Sequence, residues 1–185
     1  MSGIKIRPAG VADLSAITAV YADAVLHSTA TFELVPPDLA EITARFQKIT
    51  GAGFPYVVAE AGGEIAGYAY AGSYHARAAF CFTVENSIYI KPQWHRRGVG
   101  AQLLTRLIRD CESAGFRQIV AVIGDSSNAG SIGLHRSAGF QMVGTLRNAG
   151  LKFGRWLDTV TMQLAINGGG DTIPGGPKPP GLRAS

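Results

Sequence analysis

Cysteine is scarce. The 185 residues hold two, Cys81 and Cys111, each inside an apolar stretch. Two such thiols build no disulfide framework and read as buried free thiols. No run of about 18 apolar residues occurs, so no membrane-spanning helix is expected. A basic start followed by an apolar core and a cleavage site is also missing, which argues against a secretory signal. Together these absences point to a reducing cytoplasm. The four histidines are scattered, and with two distant cysteines they lack the spacing of a metal site. No metal is expected. Charge is sparse too: 16% of residues are charged, with a net charge of +4 and a pI near 9.3. The basic residues form no long stripe interleaved with aromatics, which argues against nucleic acid as a partner. So modest an excess suits a smaller anion, such as a nucleotide phosphate.

What is present is a globular composition, 46% hydrophobic, of a length that fits one domain with a sizeable core. Alternation at 4–7 predicts a first strand. Leu14, Ile17, Tyr21 and Ala24 recur at helical spacing and predict a helix over 11–27. Asp38 caps a second helix that runs to about Thr50. Strands follow at 55–60, 64–72 and 82–90, the first two joined by the hairpin signal Gly62-Gly63. A long helix is predicted at 98–114. The strand at 118–124, apolar on both faces, predicts helices on both sides of the sheet there. A helix at 128–138 and strands near 140–147 and 151–166 complete the domain. The order is mixed α/β with hairpins and one central crossover. Residues 1–167 form the expected domain, and the Gly/Pro-rich stretch 168–185 is expected to be a flexible tail.

Two helix starts carry candidate chemistry. Residues 95–101 read His-Arg-Arg-Gly-Val-Gly-Ala between a strand and a helix. Gly98 and Gly100 permit close backbone approach, and the helix start offers unpaired N–H groups and positive dipole charge. Arg96 and Arg97 add charge-assisted donors for a pyrophosphate. A helix start with two solvated arginines gives the same string, so the loop alone leaves both readings even. The loop lacks the Gly-Lys-Ser/Thr ending of a P-loop and the third glycine of a dinucleotide fingerprint. In the second helix Asn128, Ser131 and His135 are spaced by three and four and share one face. That line could hold a pantetheine arm. Asn128 as a plain N-cap and His135 as a satisfied core histidine are the alternatives.

The Gly98-Val99-Gly100 turn, followed about 30 residues later by Asn-x-x-Ser-x-x-Leu-His…Gly-Phe, resembles the GNAT acetyltransferase superfamily. Within it, Ala69–Gly72, Ala76–Phe80, Thr83–Ile90, Val120–Gly124 and Gly144–Arg147 look like phosphinothricin and methionine sulfone or sulfoximine acetyltransferases. The similarity covers roughly residues 4–166. It implies a central, mostly antiparallel twisted sheet of about seven strands, flanked by helices and splayed at an acetyl-CoA site. It also implies an acetyl group moving from acetyl-CoA to the amine of a small amino acid, in a homodimer.

Residue by residue, the resemblance implies acetyl-CoA contacts from Ile88, Tyr89, Ile90, Arg96, Arg97, Gly98, Val99, Gly100, Ala101, Asn128 and Ser131. Glu85 matches the general base, on an otherwise apolar strand that would raise its pKa. Proton donation to the leaving thiolate falls to His135 or Tyr89. Arg77, the only lysine or arginine between Lys48 and Lys91, is the candidate clamp for a substrate carboxylate, with Phe32 and Phe80 as apolar walls. Two positions depart from the family pattern: His95 stands where Gln or Arg is usual, and Cys81 where a polar residue is common. The alternatives are acetylation of protein N-termini or polyamines, and an acyl-CoA sensor without turnover. A polyamine site would want acids, and the loops at 28–37 and 73–80 hold only Glu33. A sensor needs no base.

Overall fold

The computed structural model describes residues 3–176 and 179–181. Seven strands form one sheet in the order β1-β2-β3-β4-β5-β7-β6: β1 Lys5–Pro8, β2 Tyr56–Ala61, β3 Glu64–Ser73, β4 Thr83–Ile90, β5 Gln118–Gly124, β6 Gln141–Lys152 and β7 Arg155–Ala165. All neighbours are antiparallel except β4 and β5, which the crossover helix α3 (Val99–Ser113) joins in parallel. Helices α1 (Leu14–His27) and α2 (Leu39–Gly51) precede β2, and α4 (Ala129–Ser137) follows β5.

Strand alternation divides the core. Tyr56, Val58 and Tyr68 face α1 and α2, where they meet Ile17, Tyr21 and Phe46. Val57, Ala59, Ala69 and Ala71 face α3, and small side chains there let Leu103, Leu104 and Leu107 sit close to the sheet. Along β4 the same rule sends Glu85, Ser87 and Tyr89 to the α1–α2 face. It sends Val84, Asn86, Ile88 and Ile90 to the α3–α4 face.

The expected helix cover on both faces of β5 is only half present. Ile119, Ala121 and Ile123 are buried in the α3 cluster, but Val122, on the opposite face, is 40% exposed. The last hairpin also differs from expectation. Its turn lies at Phe153-Gly154, and β6 runs through 147–149 as an irregularity rather than ending there. Asp158 stabilises that irregularity by accepting the Asn148 N–H at 3.0 Å.

The end of the domain is tied to the α3–β5 connection. Asn167 donates to the carbonyls of Glu112 and Phe116, and Arg117 donates to those of Asn167, Gly169 and Thr172. These contacts extend past the boundary read at 167. Within the expected tail, residues 177–178 and 182–185 lie outside the described residues.

Candidate active site

The parallel pair β4–β5 is short. It spans Thr83↔Gln118 to Asn86↔Ala121. Beyond that, β4 stays with β3 as far as Gly67↔Ile90, while β5 stays with β7 as far as Gly124↔Thr159. The two strands therefore part after Asn86. The Lys91 N–H bonds to the Ala66 carbonyl on β3 at 2.9 Å. Antiparallel alternation then turns the backbone polar groups of Ile88 and Ile90 away from β3, into the gap, and those of Tyr89 toward β3. A cavity of about 810 Å³ fills this opening and continues to the starts of α3 and α4. Of the predicted residues it is lined by Ile88, Tyr89, Ile90, Arg96, Gly98, Gly100, Ala101, Asn128, Ser131 and His135. Glu85, Phe32, Arg77, Phe80, Arg97 and Val99 do not line it.

The α3 start is built as its sequence suggests, with one change of reason. Gly98 is the N-cap at φ +82°, and an added Cβ would meet only Gln102 Nε2, at an ordinary 3.9 Å, so the turn itself and not packing calls for glycine. At Gly100 packing favours glycine instead. A Cβ there would stand 2.9 Å from Ile90 Cδ1 and 3.2 Å from Leu134 Cδ2. Gly100 thus lets α3 close on β4 and α4, which shapes the cavity floor. Arg97 stacks over the Trp94 ring at 5.4 Å, and Val99 is a core residue. His95, at the departure from the family pattern, turns its ring back and donates from Nε2 to the Ile90 carbonyl at 2.9 Å.

Asn128 caps α4, its Oδ1 accepting the Ser131 N–H at 3.1 Å. His135 is 2% exposed, and both ring nitrogens are engaged. Nδ1 lies 2.8 Å from the Ser131 carbonyl and Nε2 lies 3.0 Å from Asn86 Nδ2. Burial lowers its pKa, so the ring is neutral. The carbonyl demands the proton on Nδ1, which leaves Nε2 as the acceptor of an Asn86 amide hydrogen.

The opposite face holds the carboxylate. Glu85 pairs with Gly72 on β3 and Val120 on β5, one residue before the strands part. Its pKa is raised, and desolvation is the cause. Tyr70, half-buried and facing Ser87 across the β3–β4 register, has a raised pKa for the same reason. Tyr89 packs edge-on against Tyr21 at 4.9 Å, and burial holds its phenol pKa well above the ordinary value.

The 28–33 loop crosses the end of β5, where its Thr29 carbonyl lies against Gly124. Side chains far away in sequence hold this loop. Tyr21 Oη bonds to Thr31 Oγ1 (3.0 Å) and Glu33 Oε1 (2.9 Å), and Arg45 pairs with Glu33 at 2.6 Å. Lys152 is 3% exposed, and its ammonium donates to the carbonyls of Ser28 and Thr31, both at 2.8 Å. Phe32 rests on the backbone of Gly150. Arg77 is exposed at the start of a 3₁₀ turn, Ala78–Phe80, that leads into β4. Phe80 stacks on His75 at 5.0 Å nearby.

Sequence reading missed Lys152 and Asn86. Lys152 carries no local signal, because its partners lie more than 120 residues away. Asn86 carried one, as a second polar side chain beside Glu85 on an apolar strand. Among the described residues, no three His, Cys, Asp or Glu side chains gather as a metal site. No helix among the described residues is long and apolar enough to cross a membrane.

An opening between parallel strands, floored by two helix starts, suits a phosphorylated carrier, and the desolvated Glu85 carboxylate lies on the other face of β4, one residue before the strands part. That is a frame for acyl transfer. Comparison with known proteins agrees. The acetyltransferase (GNAT) domain profile matches residues 6–161. A phosphinothricin N-acetyltransferase of Alcaligenes faecalis is 51% identical over 162 residues, 88% of this chain and 82% of that protein. An L-methionine sulfoximine/L-methionine sulfone acetyltransferase of Pseudomonas aeruginosa is 45% identical over 164 residues, covering 88% and 95%. A phosphinothricin acetyltransferase of Sinorhizobium meliloti, solved in complex with acetyl-CoA, superposes with a TM-score of 0.90 at 45% identity over 92% of each chain. The chain belongs to the GNAT acetyltransferase family.

Proposed function

We propose that the protein acetylates the α-amino group of a small amino acid whose side chain ends in a polar tetrahedral group, of the phosphinothricin, methionine sulfone or methionine sulfoximine type. The observation that carries this reading is Glu85: a carboxylate with a pKa raised by desolvation, one residue before β4 and β5 part.

Acetyl-CoA supplies an activated thioester. The α3 start at Gly98, Arg96 and the turned-out backbone of Ile88 and Ile90 support a donor-rich cradle for it. An amino group with a pKa of ~8 must lose a proton before it attacks. Glu85 takes that proton, directly or through one water. The Ile88 and Ile90 N–H groups face the gap and are the donors for the oxygen that gathers charge. A thiolate of pKa ~8.5 leaves without a dedicated acid. This suits His135, whose ring nitrogens are both engaged, and Tyr89, whose phenol is a weak acid there. We assign His135 to positioning, and Tyr89 to the wall between Tyr21 and the cavity.

We assign Arg77 as the clamp for the α-carboxylate and Phe32 and Phe80 as apolar walls of the acceptor site. Glu33, neutralised by Arg45 and bonded by Tyr21, is not free to receive a polyamine. The exposed apolar side chains of the last hairpin, Val143, Leu146, Leu151, Phe153 and Trp156, each 56–68% exposed, support a homodimer through this edge. Two unpaired thiols fit a cytoplasmic enzyme. The Arg117 contacts favour a domain that ends near Thr172 rather than Asn167.

The test is coenzyme A release from acetyl-CoA with a panel of acceptors. Methionine sulfoximine, methionine sulfone and phosphinothricin should be acetylated on nitrogen. Faster turnover of spermidine or of an N-terminal peptide would replace this reading, and the absence of release with every acceptor of the panel would leave only the sensor.

A further inference from the structure

A second cavity, of about 350 Å³, lies between α2 and strands β2 and β3 on the α1–α2 face. It shares no lining residue with the β4–β5 opening. Its sheet wall is a row of stacked tyrosines: the Tyr56 ring lies 5.8 Å from that of Tyr68 and 5.0 Å from that of Tyr70. Tyr68 is 2% exposed and Tyr56 8%, yet neither hydroxyl has a hydrogen-bond partner among the described residues. The one fully enclosed and unpaired side-chain oxygen or nitrogen among those residues is Asn86 Oδ1, so both hydroxyls keep contact with open space. The cavity is the open space that both residues line. Burial raises both phenol pKa values, so both groups keep their protons and can donate.

The charges lining the cavity are both positive, Arg45 and Lys48. Lys48 is exposed and forms no ion pair among the described residues. Arg45 gives Nη1 to Glu33 at 2.6 Å and Nε to Glu41 at 2.7 Å, and its Nη2 has no acceptor among them. Glu33 and Glu41 do not line the cavity but lie against Arg45, so the positive field is modest. It suits one negative charge better than the two of a phosphate. Ile42, Ile49 and Phe54 make the rest of the lining largely apolar.

We propose that this cavity is a second small-molecule site, which takes a monocarboxylate with a compact apolar or aromatic body. Water can meet the two hydroxyls, but a carboxylate meets them with stronger, charge-assisted bonds. Its oxygens accept from Tyr56 and Tyr68, Arg45 and Lys48 favour its charge, and its body packs on Ile42, Ile49 and Phe54.

Benzoate is the probe, read by NMR on the native chain with labelled isoleucine methyls. Its ring protons should show contacts to the Ile42 and Ile49 methyls. Benzamide, of the same shape without the charge, should bind about 5- to 10-fold more weakly. Tyr68→Phe removes one donor and keeps the ring, and should weaken benzoate about 3- to 10-fold, while Arg77→Ala should bind it as the native chain does. No benzoate binding at about 10 mM would overturn the site. Contacts to Ile88, Ile90 or Ile123 instead would place the probe in the other opening and also overturn it. Equal affinity for benzamide would refute the carboxylate, and a loss in Arg77→Ala without one in Tyr68→Phe would move the probe to the acceptor side. The contacts in the native chain decide the location whether or not Tyr68→Phe folds.

Discussion

The two faces of the sheet build their halves of the site by different means. On the α3–α4 face the cradle is made of backbone: a glycine turn at Gly98, a capped start at Asn128, and the turned-out peptide groups of Ile88 and Ile90. On the α1–α2 face the acceptor side is made of side chains that reach across the fold. Lys152 and Arg45 hold the 28–33 loop, and Arg77 and Phe80 sit on a second loop. In the proposed function the first half recognises a common carrier, whose phosphates and amides any backbone can meet, and the second discriminates among amines, which takes particular side chains.

If the faces are separable, substitutions should sort by the constant they move. The largest effect belongs to Glu85→Gln. Turnover at neutral pH should fall about 10²–10⁴-fold with acetyl-CoA affinity unchanged, and the deficit should narrow at high pH, where the amine loses its proton unaided. The same variant should gain stability. Because the folded pKa of Glu85 is raised, its contribution is fully present below the unfolded value of about 4.3 and is lost as pH rises through the folded value. Its thermal midpoint should exceed the native one at pH 7–8 and match it near pH 4. Lower stability at pH 7 would mean that Glu85 is a structural carboxylate.

Next comes Arg77→Ala. Losing a charged donor to the substrate should raise the acceptor KM about 10- to 100-fold and spare acetyl-CoA. Esterifying the substrate's carboxylate should reproduce the loss in the native enzyme and add little in the variant. Equal rates for ester and acid would remove the clamp.

Gly98→Val acts on the other face. A β-branched residue at φ +82° carries a strain of about 1–2 kcal/mol, which the free turn relieves by leaving that geometry and which binding must restore, so acetyl-CoA should bind about 5- to 30-fold more weakly, with the acceptor KM unchanged. Lys152→Met is the smallest effect and the one expected to blur the division. The loop it holds reaches the cavity at Ser28 and Ala30 and carries Phe32 on the acceptor side. Both constants should rise about 3-fold, the size of one modest hydrogen bond. An increase in only one would assign the loop to that face.

The same division explains what was legible in the sequence. Gly98 and Asn128 act within one turn of their own position, so short patterns revealed the α3 and α4 starts. The strand and helix limits followed from alternation and helical spacing within a few residues. The reason for Gly100 was not legible, because Ile90 and Leu134 approach it only in the folded chain. Lys152 was invisible for the same reason. In sequence it is a lone lysine near the end of a strand, and only the register Lys152↔Arg155 and the loop over β5 bring it to the Ser28 and Thr31 carbonyls. The bend at 147–149 read as a strand end because Asp158, which stabilises it, lies ten residues away across the hairpin. The half-open face of β5 was misread because Val122 is apolar whether a helix or a ligand cavity covers it.

The most direct test of two separable halves is a double-variant cycle on Gly98→Val and Arg77→Ala, reading acetyl-CoA Kd and acceptor KM in all four proteins. The account predicts that each single variant moves its own constant alone and that the double variant shows both changes, additive within about 0.5 kcal/mol. A single variant that moves both constants, or a double variant that departs from additivity by 1 kcal/mol or more, would contradict it.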